Sequence, residues 1–230
     1  MLGVVASRHD REAAGLARLW AGDGAALLRA EDLSMKGWRY YPDSPERSVA
    51  VVDGVVTPCR EITGVLIRRP CVVEAELAHI HPADRPYLAQ EMSAFLFAWL
   101  SSLTCPMLNR PRDACLLGAP WRRTQWAHAA AQVGIAVQTT PGSALASPAG
   151  EGVADVVVVG RRRLGGGAQR FAAQAGRLAA MAGAELMGAA FETEGGAFLG
   201  ATLRPTLSDP EVVEAVREYL VGGGLASSSP

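Results

Sequence analysis

Val65-Leu66-Ile67-Arg68-Arg69-Pro70 is the stretch on which the fold turns. A β-type apolar run over residues 62–67 is closed abruptly by two arginines and a proline. Working outward, residues 2–6 form another short apolar run. Ser7 and Asp10 follow as N-cap candidates, and residues 11–20 have helical composition. Residues 25–29 suit a second strand. Residues 48–56 carry Asp53-Gly54, a two-residue hairpin signal. Strand, helix and strand with an inserted hairpin is α/β material.

Downstream the period changes. Leu88, Met92, Phe95, Leu96, Trp99 and Leu103 form one apolar stripe of a long helix, with Pro82 and Asp84 placed to start it. Met107-Leu108-Asn109-Arg110-Pro111 reads as a short strand running into a loop, and residues 121–133 as a helix stopped at Gly134. Residues 139–152, rich in Pro, Gly, Ser and Ala, read as a linker. The pattern then restarts. Residues 153–159 suit a buried strand, residues 160–163 a turn, and residues 168–182 a helix after three glycines. Residues 185–191 and 197–203 suit a hairpin, and Asp209-Pro210-Glu211 caps a last helix. No internal repeat is visible.

The 230 residues carry 22 basic and 23 acidic side chains, a net charge of -1, which argues against a nucleic-acid backbone or an anionic membrane surface as main partner. Lys36 is the only lysine, so no mechanism needing two lysines is open. No run of about 20 apolar residues would span a bilayer. Cys59, Cys71, Cys105 and Cys115 form no CxxC pair, which disfavours a zinc site and suits reduced thiols in a cytoplasmic protein.

Few residues point to chemistry on their own. His79 and His81 could face one side of a strand as metal ligands with Asp84, or simply lie in a loop. Asp10, beside His9, could sit in a cleft or cap the first helix. Gly165-Gly166-Gly167 could cradle an anion on backbone N–H groups, or merely connect strand to helix; Ala168-Gln169 stands where a P-loop needs Lys-Ser/Thr. Arg68 and Arg69, at a strand end where α/β ligands gather, could bind carboxylate or phosphate bidentately, or form a solvated strand end. No nucleophile motif is present.

Taken in order, several motifs resemble one group of ATP-grasp ligases. They are residues 65–70, Glu91 on a long helix, Met107-Leu108-Asn109-Arg110-Pro111, and Arg122-Arg123-Thr124-Gln125 on a helix ending Val133-Gly134-Ile135. The group is the graspetide or microviridin-type ligases, which install ester and amide crosslinks in ribosomally made peptides. The resemblance covers most of residues 1–140. It resumes at residues 155–167, at the helix 172–182 and at the hairpin 188–205. Between residues 140 and 153 the family's lid subdomain is reduced to the linker. The family's phosphate-binding lysine corresponds to Arg122, and the lysine of the lid has no counterpart. Its magnesium ligands correspond to Ala190, Gly200 and Thr202, with Glu192 the one credible substitute.

The resemblance implies an α/β fold: a pre-ATP-grasp-like lobe over residues 1–118, then a linker helix and truncated ATP-grasp-like core lacking the lid over 119–221, with a flexible tail at 222–230. It implies a non-catalytic ATP-grasp-like protein that binds a peptide or protein partner in bacterial peptide natural-product biosynthesis. No cofactor or metal is expected, and self-association is left open. One alternative is an ATP-dependent carboxylate–amine or carboxylate–hydroxyl peptide ligase with a divergent site. A second is a metal-dependent enzyme reusing the cleft through His9, Asp10, His79 and His81. The expected ligand-binding residues are Arg68, Arg69, Asn109, Arg110, Arg122 and Gln125, with Arg68, Arg69 and Arg110 lining a cleft for an acidic peptide segment or partner surface.

Overall fold

The computed structural model describes residues 1–137 and 152–222. The chain divides into two compact units. One is Met1–Gly118 with the C-terminal segment that begins at Arg217, and the other is Ala119–Val216.

The first unit is built on a parallel sheet of β1 (Leu2–Val5), β2 (Ala26–Leu28), β5 (Gly64–Ile67) and β6 (Met107–Leu108), in the order β2-β1-β5-β6. Every residue of β1 and β5 is buried, as expected of central parallel strands covered on both faces. Helix α1 (Arg11–Leu19) makes the crossover from β1 to β2, and its start is fixed by Asp10, whose Oδ1 accepts from Ala13 N at 2.9 Å. The hairpin β3 (Val49–Val52) and β4 (Val55–Pro58) turns at Asp53-Gly54 and forms a separate two-stranded sheet. Helix α2 (Arg85–Ser102) buries Leu96, Trp99 and Leu100, with Trp38 packed edge-on against both Phe95 and Trp99. Gly64 is a glycine for a steric reason: a Cβ there would lie 2.6 Å from the Leu220 carbonyl oxygen.

The second unit is an antiparallel sheet of β7 (Val153–Val159), β8 (Arg162–Leu164), β9 (Leu186–Glu192) and β10 (Phe198–Thr202), in the order β10-β9-β7-β8. Its core joins one face of that sheet to α3 (Arg123–Gln132) and α4 (Ala168–Ala182), around Phe171 stacked on Phe191 at 4.7 Å. Helix α5 (Pro210–Val221) closes the described chain.

Element by element, the sequence expectations meet the structure closely, with one difference. Arg162 and Arg163, expected in the turn over residues 160–163, belong to strand β8, because the turn is completed by Gly160 and Arg161 alone and the two arginines pair with Val159 and Val158. The lid-replacing linker lies outside the described residues except for Gly152, and the expected tail lies outside them beyond Gly222.

Candidate functional site

In the first unit β1 has β2 on one side and β5 on the other, so the chain leaves β1 and β5 toward opposite flanks, and a crevice opens at the carboxyl ends of the strands. Arg68 and Arg69 sit there, but neither is turned to solvent. Arg68 Nε donates to Asp10 Oδ2 at 3.1 Å, and its Nη2 donates to Glu12. Arg69 donates from Nη2 to Glu76, from Nε to the Cys71 carbonyl at 3.0 Å and from Nη1 to the Ala6 carbonyl at 3.4 Å. Both arginines are at least 95% buried. The cause is their neighbour in sequence: β5 is covered on both faces, so a charge placed just beyond it is desolvated and must be paired. Asp10 thus caps α1 with one oxygen and holds Arg68 with the other.

Asn109 follows β6 in a left-handed conformation, φ 59°, which asparagine tolerates, and is buried. Arg110 donates to the carbonyls of Leu103 (2.8 Å) and Cys105 (2.7 Å), tying the end of α2 to the strand it feeds. Because β6 pairs with β5, Asn109 and Arg110 share the sheet edge with Arg68 and Arg69. Arg122 and Gln125 belong to the second unit, where both are exposed and Gln125 Oε1 accepts from Arg122 N at 2.8 Å, capping α3. His79 shares a 3.0 Å hydrogen bond between its Nε2 and Ser34 Oγ. Among the described residues no three His, Cys, Asp or Glu side chains are grouped to hold a metal ion.

An open groove of about 820 Å³ runs along α2 in the first unit, lined among others by Cys71, Val73, Ala89, Ser93, Phe97 and Ala114. Ser93 builds its wall: the hydroxyl accepts from Val72 N at 2.9 Å and donates to the Ala89 carbonyl at 2.7 Å. The sequence signal for this groove is the second face of α2, where Pro86, Ala89, Gln90, Ser93, Ala94 and Phe97 recur at helical spacing. The more apolar Leu/Trp stripe lies on the other face of α2.

In the second unit, β9 sends Met187, Ala189 and Phe191 into the core, and β7 sends Val156 and Val158 there. Strand alternation places Ala190, Glu192 and Asp155 on the opposite face. Asp155 is paired across the strands with Ala190, and Ala190 with Gly200. Burial pushes the Asp155 carboxyl up to about 6. This acidic residue, a lone charge in Val153-Ala154-Asp155-Val156-Val157, was not marked as a site residue by sequence reasoning. Glu192 is opposite Val153, and so is a diagonal neighbour of Asp155. Of the positions that the resemblance assigns to magnesium ligands, Ala190 and Gly200 offer no side-chain oxygen and Thr202 offers only a hydroxyl, which accepts from Arg204 N at 3.1 Å, so the residues present do not fit that ion as the family would bind it. The Gly165–Gly167 turn is held against β7: Gly167 N donates to the Asp155 carbonyl at 2.8 Å, and a Cβ at Gly165 would lie 2.9 Å from that same oxygen. Close backbone approach therefore accounts for Gly165 and Gly167, and the Gly167 N–H is engaged within the chain.

A parallel α/β unit followed by an antiparallel sheet backed by two helices is the fold of ATP-grasp ligases. Similar solved structures include the macrocyclase MdnB from Microcystis aeruginosa MRC, with a TM-score of 0.62 and 15% identity over 96% of this chain and 99% of that one. The macrocyclase MdnC of the same organism, bound with precursor peptide MdnA, gives 0.65 and 12% over the same shares. A RiPP-associated ATP-grasp ligase from Chryseobacterium gregarium, in complex with ADP and a leader and core peptide, gives 0.61 and 8% over 96% of each chain. No family model and no curated protein sequence matches the chain. No described helix is long and apolar enough to cross a membrane.

Proposed function

We propose that this chain is a non-catalytic ATP-grasp-like protein that binds a peptide or protein partner in bacterial peptide natural-product biosynthesis. The observation that carries this reading is the Ala190–Gly200 pair of the β9–β10 hairpin, two of the three positions the resemblance gives to magnesium, neither with a side-chain oxygen. Phosphoryl transfer rests on positioning and electrostatic stabilisation, so absent ligands leave little for other groups to replace. Fold neighbours solved with precursor peptides support the peptide side of the proposal.

Asp155 favours a second reading, an ATP-dependent peptide ligase with a divergent site. It puts a carboxylate beside Ala190, with Glu192 on the same face. Calorimetric titration of the chain with magnesium and ATP separates the two. The non-catalytic reading expects no binding in the micromolar range. A micromolar heat that disappears in Asp155→Asn or Glu192→Ala protein overturns it in favour of the ligase.

A further inference from the structure

We infer that Cys71 and Cys115 form a thiol pair that closes into an intrachain disulfide when the folded protein meets a disulfide oxidant. β6 runs parallel to β5, and beyond it the chain reverses at residues 112–115. Arg112 and Cys115 exchange both backbone hydrogen bonds (3.0 and 2.9 Å) around Asp113 and Ala114, whose φ values of 51° and 60° are those of a type I′ turn. Leu116 N donates to the Pro70 carbonyl at 3.0 Å, so Cys71 and Cys115 are each the chain neighbour of one end of the same backbone hydrogen bond.

A backbone hydrogen bond of this kind holds two chain segments about 4.8 Å apart. A disulfide needs roughly 4.4–6.8 Å. Both residues are free thiols, Cys71 exposed and Cys115 half-buried. Burial pushes the Cys115 thiol up, the Leu117 backbone N–H opposes that, and the nearby Cys71 thiol adds to the rise. Ala114, the second central residue of that turn, holds a left-handed φ of 60° and also lines the groove.

The division of labour follows from exposure. The Cys71 thiolate attacks oxidised glutathione, forming a mixed disulfide and releasing one glutathione thiolate. The Cys115 thiolate then attacks the Cys71 sulfur, forming the intrachain bond and releasing the second glutathione. Two protein thiols are oxidised, one oxidised glutathione is reduced, and the two thiol protons end on the two glutathiones. The bond ties the 112–115 turn to the groove wall that begins at Cys71. None of this depends on whether the protein is a ligase or a partner-binding relative.

The test incubates the native full chain with oxidised glutathione, blocks remaining thiols with an alkylating reagent and maps peptides by mass spectrometry. The expected result is a Cys71–Cys115 crosslinked peptide with no retained glutathione. In Cys115→Ser protein, Cys71 keeps one glutathione; in Cys71→Ser protein, Cys115 stays alkylatable. Unchanged melting temperatures of the reduced variants show that the fold is retained. A wild-type chain that keeps glutathione on Cys71 with Cys115 still alkylatable, that leaves both thiols unreacted, or that joins Cys115 to Cys105 overturns the inference.

Discussion

Asp155 faces Ala190 across the β7–β9 pairing, and Ala190 in turn faces Gly200 on β10, so one carboxylate stands beside two residues with no polar side chain. Burial without a cationic partner raises its pKa from 3.8 to about 6. The folded chain therefore holds this proton more tightly than the unfolded chain. Stability is lost as pH rises between those two values, and the ionised group is a burden at neutral pH. Asp155→Asn should raise the melting temperature at pH 7.5 by a gain on the order of 1 kcal/mol, discounted for partial exposure. Thermal melts below pH 3.5 should show no difference, and a gain of equal size at both pH values would refute this account.

Arg68 holds Asp10 and Glu12 together at the end of β5, with its own side chain almost fully buried. Arg68→Ala should cost about 3 kcal/mol or more, because two carboxylates near the sheet edge lose their counter-charge. Denaturant unfolding measures this. A loss under 1 kcal/mol would return Arg68 to the role of a dispensable, ligand-facing charge.

Gly64 leaves room for the Leu220 carbonyl and touches nothing else so closely with backbone. Gly64→Ala should destabilise by about 1–3 kcal/mol through overpacking. If truncation after Val216 removed that penalty, the contact with α5 would be confirmed as its source.

Ala114 adopts φ 60° in the turn at 112–115. A left-handed conformation costs an L-residue roughly 1–2 kcal/mol, which glycine does not incur. Ala114→Gly should therefore raise stability by about 1 kcal/mol, after allowance for the greater freedom of glycine in the unfolded chain. Chemical denaturation of the variant showing a decrease would mean that the Ala114 methyl group contributes more to the groove than its backbone costs.

What was legible in the sequence was local. The apolar runs and caps located β7 and α4 to the residue, the Asp53-Gly54 hairpin, and the helix that begins after Asp84. The order of motifs led to the right fold. These signals survive without tertiary context because each is written within a few residues, in a periodicity or a capping side chain.

The sequence by itself thus determined the elements, their order and the absence of side-chain oxygen at Ala190 and Gly200. Only the tertiary structure decided what the charged residues do. Arg68 was read as a candidate ligand for an acidic partner because its own partner, Asp10, lies 58 positions away, and no local pattern encodes that pairing. Asp155 owes its raised pKa to burial in a sheet whose neighbouring strand comes from the other side of α4. Cys71 and Cys115 are brought near each other by the backbone hydrogen bond from Leu116 N to the Pro70 carbonyl, which no local pattern encodes. Secondary structure follows from short-range sterics and hydrophobic period, whereas the state of a charge or a thiol depends on whatever the fold packs beside it.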